Sequence, residues 1–423
     1  MAPCGWTSRR CPGPWSTRRW SSRRSRRSSA QRRIGHPARP TLKSLYGIPV
    51  DRRVFSRRRP LAPRHKQSLY RIIIRIIGDI GVRAVFTEEQ EMLRSTASRI
   101  ADSVSVTTPA DLGRLDRVKA WGALAEAGLL GMRTRDEDGT PLASGVEVML
   151  VAQSLSGTLA PMPFVGSVLA ADLLGRAGAA EAWISDIAEG RARYTVLLTP
   201  ELDRLADAEA PHGAICIDAE GAAYGLAIGA DRRVARVGLG GMGALAGVDM
   251  TRPLGVLADG SAVEPIGRPL SDDDLARWTS LALALACADM VGVLSDGLRR
   301  VVEYAKARIQ YGVPIGSFQA VQHMCAEMLV ETEAAASVTS YAAWAVDALD
   351  AESGLLAARS AKAYCAPVAQ KVGEMLMQAY GGIGQTWEHE AHIRTRRAMF
   401  DRKIFGDEAC QLLAIADLRM GRN

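Results

Sequence analysis

The sequence predicts a mainly α protein with a small β domain. Apolar residues make up 48% of the 423 and aromatics only 5%, with alanine and glycine abundant, a balance that favours helices over a β-sandwich. Long stretches on both sides of the chain's middle carry apolar residues at helical spacing. Between them lies a section of about eighty residues built of short apolar runs broken by Gly and Asp-Gly, the pattern of strands and turns. The order is helices, a reduced middle β domain, then a C-terminal four-helix-type bundle.

Residues 1–82 stand apart. WSTRRWSSRRSRRSSAQRR is rich in Arg and Ser, and Asp51 is the first acid. Residues 1–83 hold 20 Arg and 2 Lys against Asp51 and Asp79, so the overall charge of +7 belongs to this end, and the remainder carries 31 basic against 44 acidic residues. Three readings of the extension stay open: a phosphate-binding tail, a transit peptide, or translation upstream of a true start near Val82. Each predicts disorder, because so much like charge cannot be buried. The acidic remainder offers no basic footprint for nucleic acid.

Three domains are expected after the extension. In the helical domain, 83–190, Thr87 followed by Glu88 and Glu89 is a helix opening, and Met92, Leu93, Ala97 and Ile100 continue at helical spacing. Further helices are read at 116–127, 146–159 and 164–178, with APMP between the last two. The β domain, 191–270, contains RYTVLLTP, GAICIDAEGAAYGLAIG, RRVARVGLGG and GVLADGSAVEPIG. The bundle, 271–423, opens with LARWTSLALALACADMVGVLSDGLRRVVEYAKARIQYG, whose first half is apolar on nearly every side and so calls for burial between helices. Two long helices follow, the second with Pro367 inside it, where a kink is expected. No unbroken apolar run reaches eighteen residues, so no membrane span is expected. The seven cysteines form no CxxC pair and read as reduced thiols of a cytoplasmic protein.

Two strings carry a resemblance. ARIQYGVPIGSFQAVQHMCAEM is similar to the R-x-Q-F-G-x-P-I-G-x-F-Q-x-x-Q motif of the acyl-CoA dehydrogenase family, Arg308 to Gln322, with Tyr311 for the usual Phe. MQAYGGIGQTWEHEAHIRTRRA resembles that family's Q-x-x-G-G-x-G-x-T motif, from Gln378. The resemblance covers residues 83–423 and implies FAD bound across a subunit interface. By matching motif positions it implies cofactor contacts at Arg308, Gln310, Gln319, Gln378 and Gly382. The chemistry suits those residue types: Arg308 offers a permanent planar charge to a pyrophosphate, the glutamines satisfy polar edges without adding charge, and Gly381 and Gly382 let backbone approach the cofactor.

The family removes the α-proton of an acyl-CoA thioester with a glutamate while the β-hydrogen leaves as hydride to the flavin. Counted from Gly381 and Gly382, the usual position of that glutamate is Phe405. The alternative position, early in the first long bundle helix, falls at Ala282. Neither residue can take a proton. The T-E-P or S-E-P segment and the Gly-Ser-Asp that contact the flavin ring in catalytic members are also missing. The pattern resembles the accessory subunits of actinobacterial α2β2 acyl-CoA dehydrogenases, several of which act on steroid side-chain CoA thioesters. A homologous catalytic subunit and an electron-transfer acceptor are the partners this implies; a homo-oligomer is the alternative.

Two rivals remain. A self-sufficient dehydrogenase would use a displaced base, with Asp407 the candidate, Glu408 beside it, and His389, Glu390 and His392 behind them. A flavin-free scaffold would leave Arg308 and Gln378 without a role. Glu388 and Glu390 otherwise read as exposed charges near a helix start, and the His389–His392 spacing lacks a third metal ligand.

Overall fold

A computed structural model describes residues 85–420. The readings of residues 1–82 lie outside the described residues.

Thr87 opens α1 (Glu88–Asp102) with a reciprocal cap: its hydroxyl accepts the Gln90 N–H at 3.2 Å, and the Gln90 side chain accepts the Thr87 N–H at 3.1 Å. Asp116 caps α2 (Arg117–Glu126) by accepting the Lys119 N–H at 3.0 Å. Ser144 and Glu147 cap α3 (Gly145–Gly157). After the proline-rich link come α4 (Phe164–Ala177), buried on almost every side, and the short α5 (Glu181–Ala188).

Seven short strands follow: β1 (Tyr194–Leu198), β2 (Ile215–Cys216), β3 (Tyr224–Ile228), β4 (Val234–Gly238), β5 (Gly243–Leu245), β6 (Leu254–Val256) and β7 (Val263–Ile266). They form one sheet in the order β5-β6-β2-β1-β3-β4-β7. Pairing is antiparallel except between β1 and β3, where Thr195 lies opposite Gly225 in a parallel ladder. Central β1 is buried along its length and alternates by the two-residue period of a strand. Tyr194, Val196 and Leu198 join the main core; Leu197 joins a small second core with Cys216, Ala227 and Val237.

The bundle begins with α6 (Asp272–Ala307), 36 residues long and capped by Ser271 and Asp274. Among the described residues it is the one helix apolar and long enough to cross a membrane, but 89% of its most apolar stretch is buried inside the protein. Ser280 and Asp289 interrupt its apolar sequence, so no unbroken apolar run in it reaches eighteen residues. The helix is the hub of the fold, packing on α3, on α4 and on α7 (Gln319–Ala348), α8 (Ala351–Tyr380) and α9 (Ala391–Lys403). Pro367 lies inside α8, which runs on past it to Tyr380.

The sequence reading missed a small hairpin between α6 and α7. Strands β8 (Ile309–Gln310) and β9 (Val313–Pro314) pair across Tyr311 and Gly312, whose φ values are 53° and 81°. Two positive φ values make the twist-compatible two-residue hairpin turn, and Gly312 takes the second at no steric cost. The chain ends with α9, the turn at Phe405 and Gly406, and α10 (Glu408–Met420).

Candidate functional site

The cofactor candidates come together at one end of the bundle. Arg308 follows the last turn of α6, Gln310 lies on β8, and Gln319 opens α7. Gln378 is in the last turn of α8, and Gly381 and Gly382 follow it. Tyr304 of α6 and Tyr380 of α8 hold the two ends against each other, with ring centroids 4.9 Å apart.

All five candidates are exposed. Among the described residues, the Arg308, Gln310, Gln319 and Gln378 side chains make no hydrogen bond or ion pair. One permanent cation and three amides are thus unspent on an open surface. That donor set fits the pyrophosphate and polar edges of a flavin dinucleotide. Gly381 has φ 63°, and a Cβ at Gly382 would meet nothing within 4 Å, so the backbone there stands open to a ligand. Exposed apolar side chains border the same surface: Ile309, Tyr311, Phe318, Ile383 and Trp387, with Tyr311 94% exposed. An apolar rim of this kind around unspent polar groups marks a contact surface.

The positions of the missing base are closed. Phe405 is buried, and its ring meets Trp278 of α6 edge-on, centroids 6.1 Å apart. Its N–H donates to the Leu202 carbonyl at 2.6 Å, and its carbonyl accepts from the Gln411 amide at 2.7 Å. Ala282 is fully buried in α6. Two hollows lie away from these positions: one of about 400 Å³ is bordered by Ile100, Asp116 and Lys119, and one of about 450 Å³ by Tyr341, Leu349 and Leu356.

Asp407 is occupied as a structural residue. It pairs with Lys403, and its carboxylate accepts the Cys410 N–H at 3.2 Å at the start of α10. These contacts, the lysine first, hold its carboxyl below the usual range, which weakens it as a base. Glu408 pairs with Arg402. His389 accepts the Ala391 N–H through Nδ1 at 3.1 Å, and burial lowers its pKa. Glu388 is exposed. Glu390 is not the exposed charge that its place near a helix start suggests: it is buried between Arg300 and Arg394. No group of three metal-ligating side chains occurs among the described residues.

The structure also reveals a buried ion cluster that sequence reasoning missed. It joins the sheet to α6 and α9. Arg252 donates to Asp218 at 2.8 Å and to Asp401 at 2.8 Å. Arg397 grips Asp289 of α6 with two bonds of 2.7 and 2.8 Å, and reaches the Ala160 carbonyl at 3.1 Å. Lys362 of α8 donates to the Ile404 carbonyl at 2.9 Å and to the Asp401 carbonyl. Burial opposes the charge on Asp289, yet Arg397 and Arg252 hold its carboxyl below the usual range. Burial and then the charge of Asp289 push Asp401 well above that range. Oδ2 of Asp401 is buried with no donor to accept from. Asp289 was legible: one carboxylate in the run LALACADMVGVL must find a cation once the helix is buried. Its partners Arg397 and Arg252, distant in the chain, were not.

Comparison with known proteins agrees with this architecture. Residues 87–191 match the acyl-CoA dehydrogenase N-terminal domain and residues 281–418 the acyl-CoA dehydrogenase C-terminal domain. The acyl-CoA dehydrogenase IpdE2 of Mycobacterium tuberculosis is 30% identical over 319 residues, 74% of this chain and 91% of that protein. FadE34 of the same organism is 42% identical over 122 residues, but this match spans 29% of this chain and 17% of FadE34. Among solved structures, the Tcur3481-Tcur3483 steroid ACAD superposes with a TM-score of 0.67 at 22% identity, covering 79% of this chain and 98% of that one. The ChsE4-ChsE5 complex from Mycobacterium tuberculosis superposes with a TM-score of 0.66 at 23% identity, covering 80% and 99%.

Helical domain, sheet and bundle have the architecture of a flavin-dependent dehydrogenase. The chain belongs to the acyl-CoA dehydrogenase family, FAD-dependent oxidoreductases that act on CH–CH bonds.

Proposed function

We propose that this chain is the non-catalytic, FAD-contacting subunit of a heteromeric cytoplasmic acyl-CoA dehydrogenase, with a steroid side-chain CoA thioester as substrate. The observation that carries the reading is Phe405, a buried phenylalanine locked against Trp278 where the family places its base. The substrate class and the paired assembly are drawn from similar proteins, a steroid ACAD and the ChsE4-ChsE5 complex.

In this reading Arg308 meets the pyrophosphate, Gln310, Gln319 and Gln378 meet polar edges, and Gly381 and Gly382 let the backbone approach. FAD, when bound, would supply the hydride acceptor, and a separate acceptor protein is the expected electron-transfer partner. The sister subunit supplies the glutamate that takes the α-proton. Here Tyr311, Phe318 and Trp387 would be covered by that subunit.

Co-expression with a dehydrogenase-like chain that carries the glutamate tests the assignment. Arg308→Ala should strip flavin from the complex, and Asp407→Asn should leave turnover unchanged. A collapse of turnover in the Asp407 variant would establish the self-sufficient alternative instead.

A further inference from the structure

Beneath the glycine turn lies a closed ring of four charges. Asp296 and Arg300 come from α6; Glu390 and Arg394 come from the start of α9. Arg300 bonds Asp296 at 2.6 Å and Glu390 at 3.1 Å. Arg394 bonds Asp296 at 2.6 Å and Glu390 at 3.0 Å. Arg300 and Arg394 each touch both anions, and Arg299 adds a further cation on Asp296, so three arginines surround two carboxylates. Arg394 also donates to the Gly157 carbonyl at 2.9 Å, which anchors the ring to the end of α3.

An aromatic stack continues the link. Tyr304 of α6 lies 4.9 Å from Tyr380, and Tyr380 lies 4.3 Å from the imidazole of His389. Ring and stack together tie the last three turns of α6 to the segment 380–394. Arg308 stands one turn past Tyr304; Gln378, Gly381 and Gly382 flank Tyr380. The two segments that carry the unspent polar groups are therefore fixed to each other by the Tyr304–Tyr380 contact, by the Asp296–Arg394 pair and by the bridge that Glu390 makes between Arg300 and Arg394.

We infer that Glu390 is the positioning residue that holds the Arg308 segment and the Gln378–Gly382 turn in register for the flavin. It touches no cofactor itself. Its carboxylate bridges a cation on α6 to a cation on α9, and cutting it leaves Asp296–Arg394 as the ion pair between the two helices, which loosens both segments. This inference rests on the assignment of those segments to FAD.

Hydrogen exchange on the full chain tests the positioning without flavin. In Glu390→Gln, amides of 308–318 and 378–386 should both exchange about tenfold faster, the scale on which residues that orient a ligand set act, while β1 and α4 stay unchanged. Arg300→Gln makes the same cut from α6 at a partly exposed position, should Glu390→Gln fold poorly. Exchange unchanged in either segment, or raised throughout the chain, would overturn the inference. A second arm measures FAD retained by the co-expressed complex in Glu390→Gln, Arg308→Ala and the double variant. The inference predicts that Glu390→Gln loses flavin and that the double variant is no worse than Arg308→Ala alone. Flavin lost in Arg308→Ala but fully kept in Glu390→Gln overturns the inference and leaves the cofactor assignment standing. Flavin kept in Arg308→Ala overturns the cofactor assignment, and hydrogen exchange then decides the ring by itself.

Discussion

Phe405 and Trp278 meet edge to face, with planes at 88° and centroids 6.1 Å apart. The Trp278 indole N–H is spent on the Leu169 carbonyl at 3.0 Å, so the pair links the α9–α10 turn through α6 to α4. Phe405 does this from a φ of 60°, a backbone conformation rare for a bulky residue. A side chain placed there to react would face solvent or substrate; this one is core.

Truncating that ring should therefore cost stability. Phe405→Ala is expected to lower unfolding free energy by about 3–5 kcal/mol, the range for a buried Phe, as read by urea denaturation. Phe405→Glu should destabilise as well, because its carboxylate would sit among Trp278 and the Leu202 turn without a cation. It should not confer dehydrogenase activity on the chain alone.

Asp289 and Asp401 share one buried cluster but should respond differently to amidation. Asp289→Asn strands Arg397 and should cost about 3–5 kcal/mol, as for breaking a buried pair. Asp401→Asn keeps an oxygen for Arg252 to donate to and removes a carboxyl that burial and the charge of Asp289 push up, so it should cost less than Asp289→Asn. Because its pKa rises on folding, stabilisation from Asp401 is complete below the ordinary carboxylate value and lost as pH climbs through the folded one. Asp401→Asn should remove that alkaline loss.

On the acid side, Asp172 and Asp296 have the opposite sign. Burial opposes the charge on Asp172, but Arg176 and Arg133 hold its carboxyl below the usual range; Arg394 leads the same effect on Asp296. Their stabilisation is present above about pH 4, the unfolded value, and lost as pH falls through the folded value. Urea midpoints should drop below about pH 4, and Asp172→Asn should flatten that drop while lowering the plateau.

The exposed rim offers a test without a thermal signature. Tyr311 is 94% exposed and touches Phe318 edge-on. Tyr311→Ala should leave the melting temperature of the chain unchanged and weaken assembly with a sister subunit, measured by sedimentation of the mixture.

The helix–sheet–helix order was legible in the sequence because capping residues and hydrophobic period are local signals. Thr87 announced a helix that the structure contains, and the helical spacing read from 116 and from 271 onward matches two more. The β8–β9 hairpin was not, since its strands are two residues long and exposed. At the site, Phe405 was identified by counting from the glycine motif and Ala282 by counting back from Arg308, yet only the structure shows that both are sealed. Glu390 was misjudged because a charge near a helix start usually faces water; two arginines, one of them ninety residues away in α6, bury it instead. Arg252 was passed over for the same reason: its partners Asp218, Asp289 and Asp401 lie 34 or more residues away.

The flavin-to-protein ratio, read from visible absorption after purification, tests the central claim most directly. The account predicts a flavin-poor protein when this chain is purified alone and stoichiometric FAD when it is co-purified with a sister subunit bearing the glutamate. A chain that holds stoichiometric FAD alone, and whose flavin bleaches on addition of acyl-CoA, would contradict it.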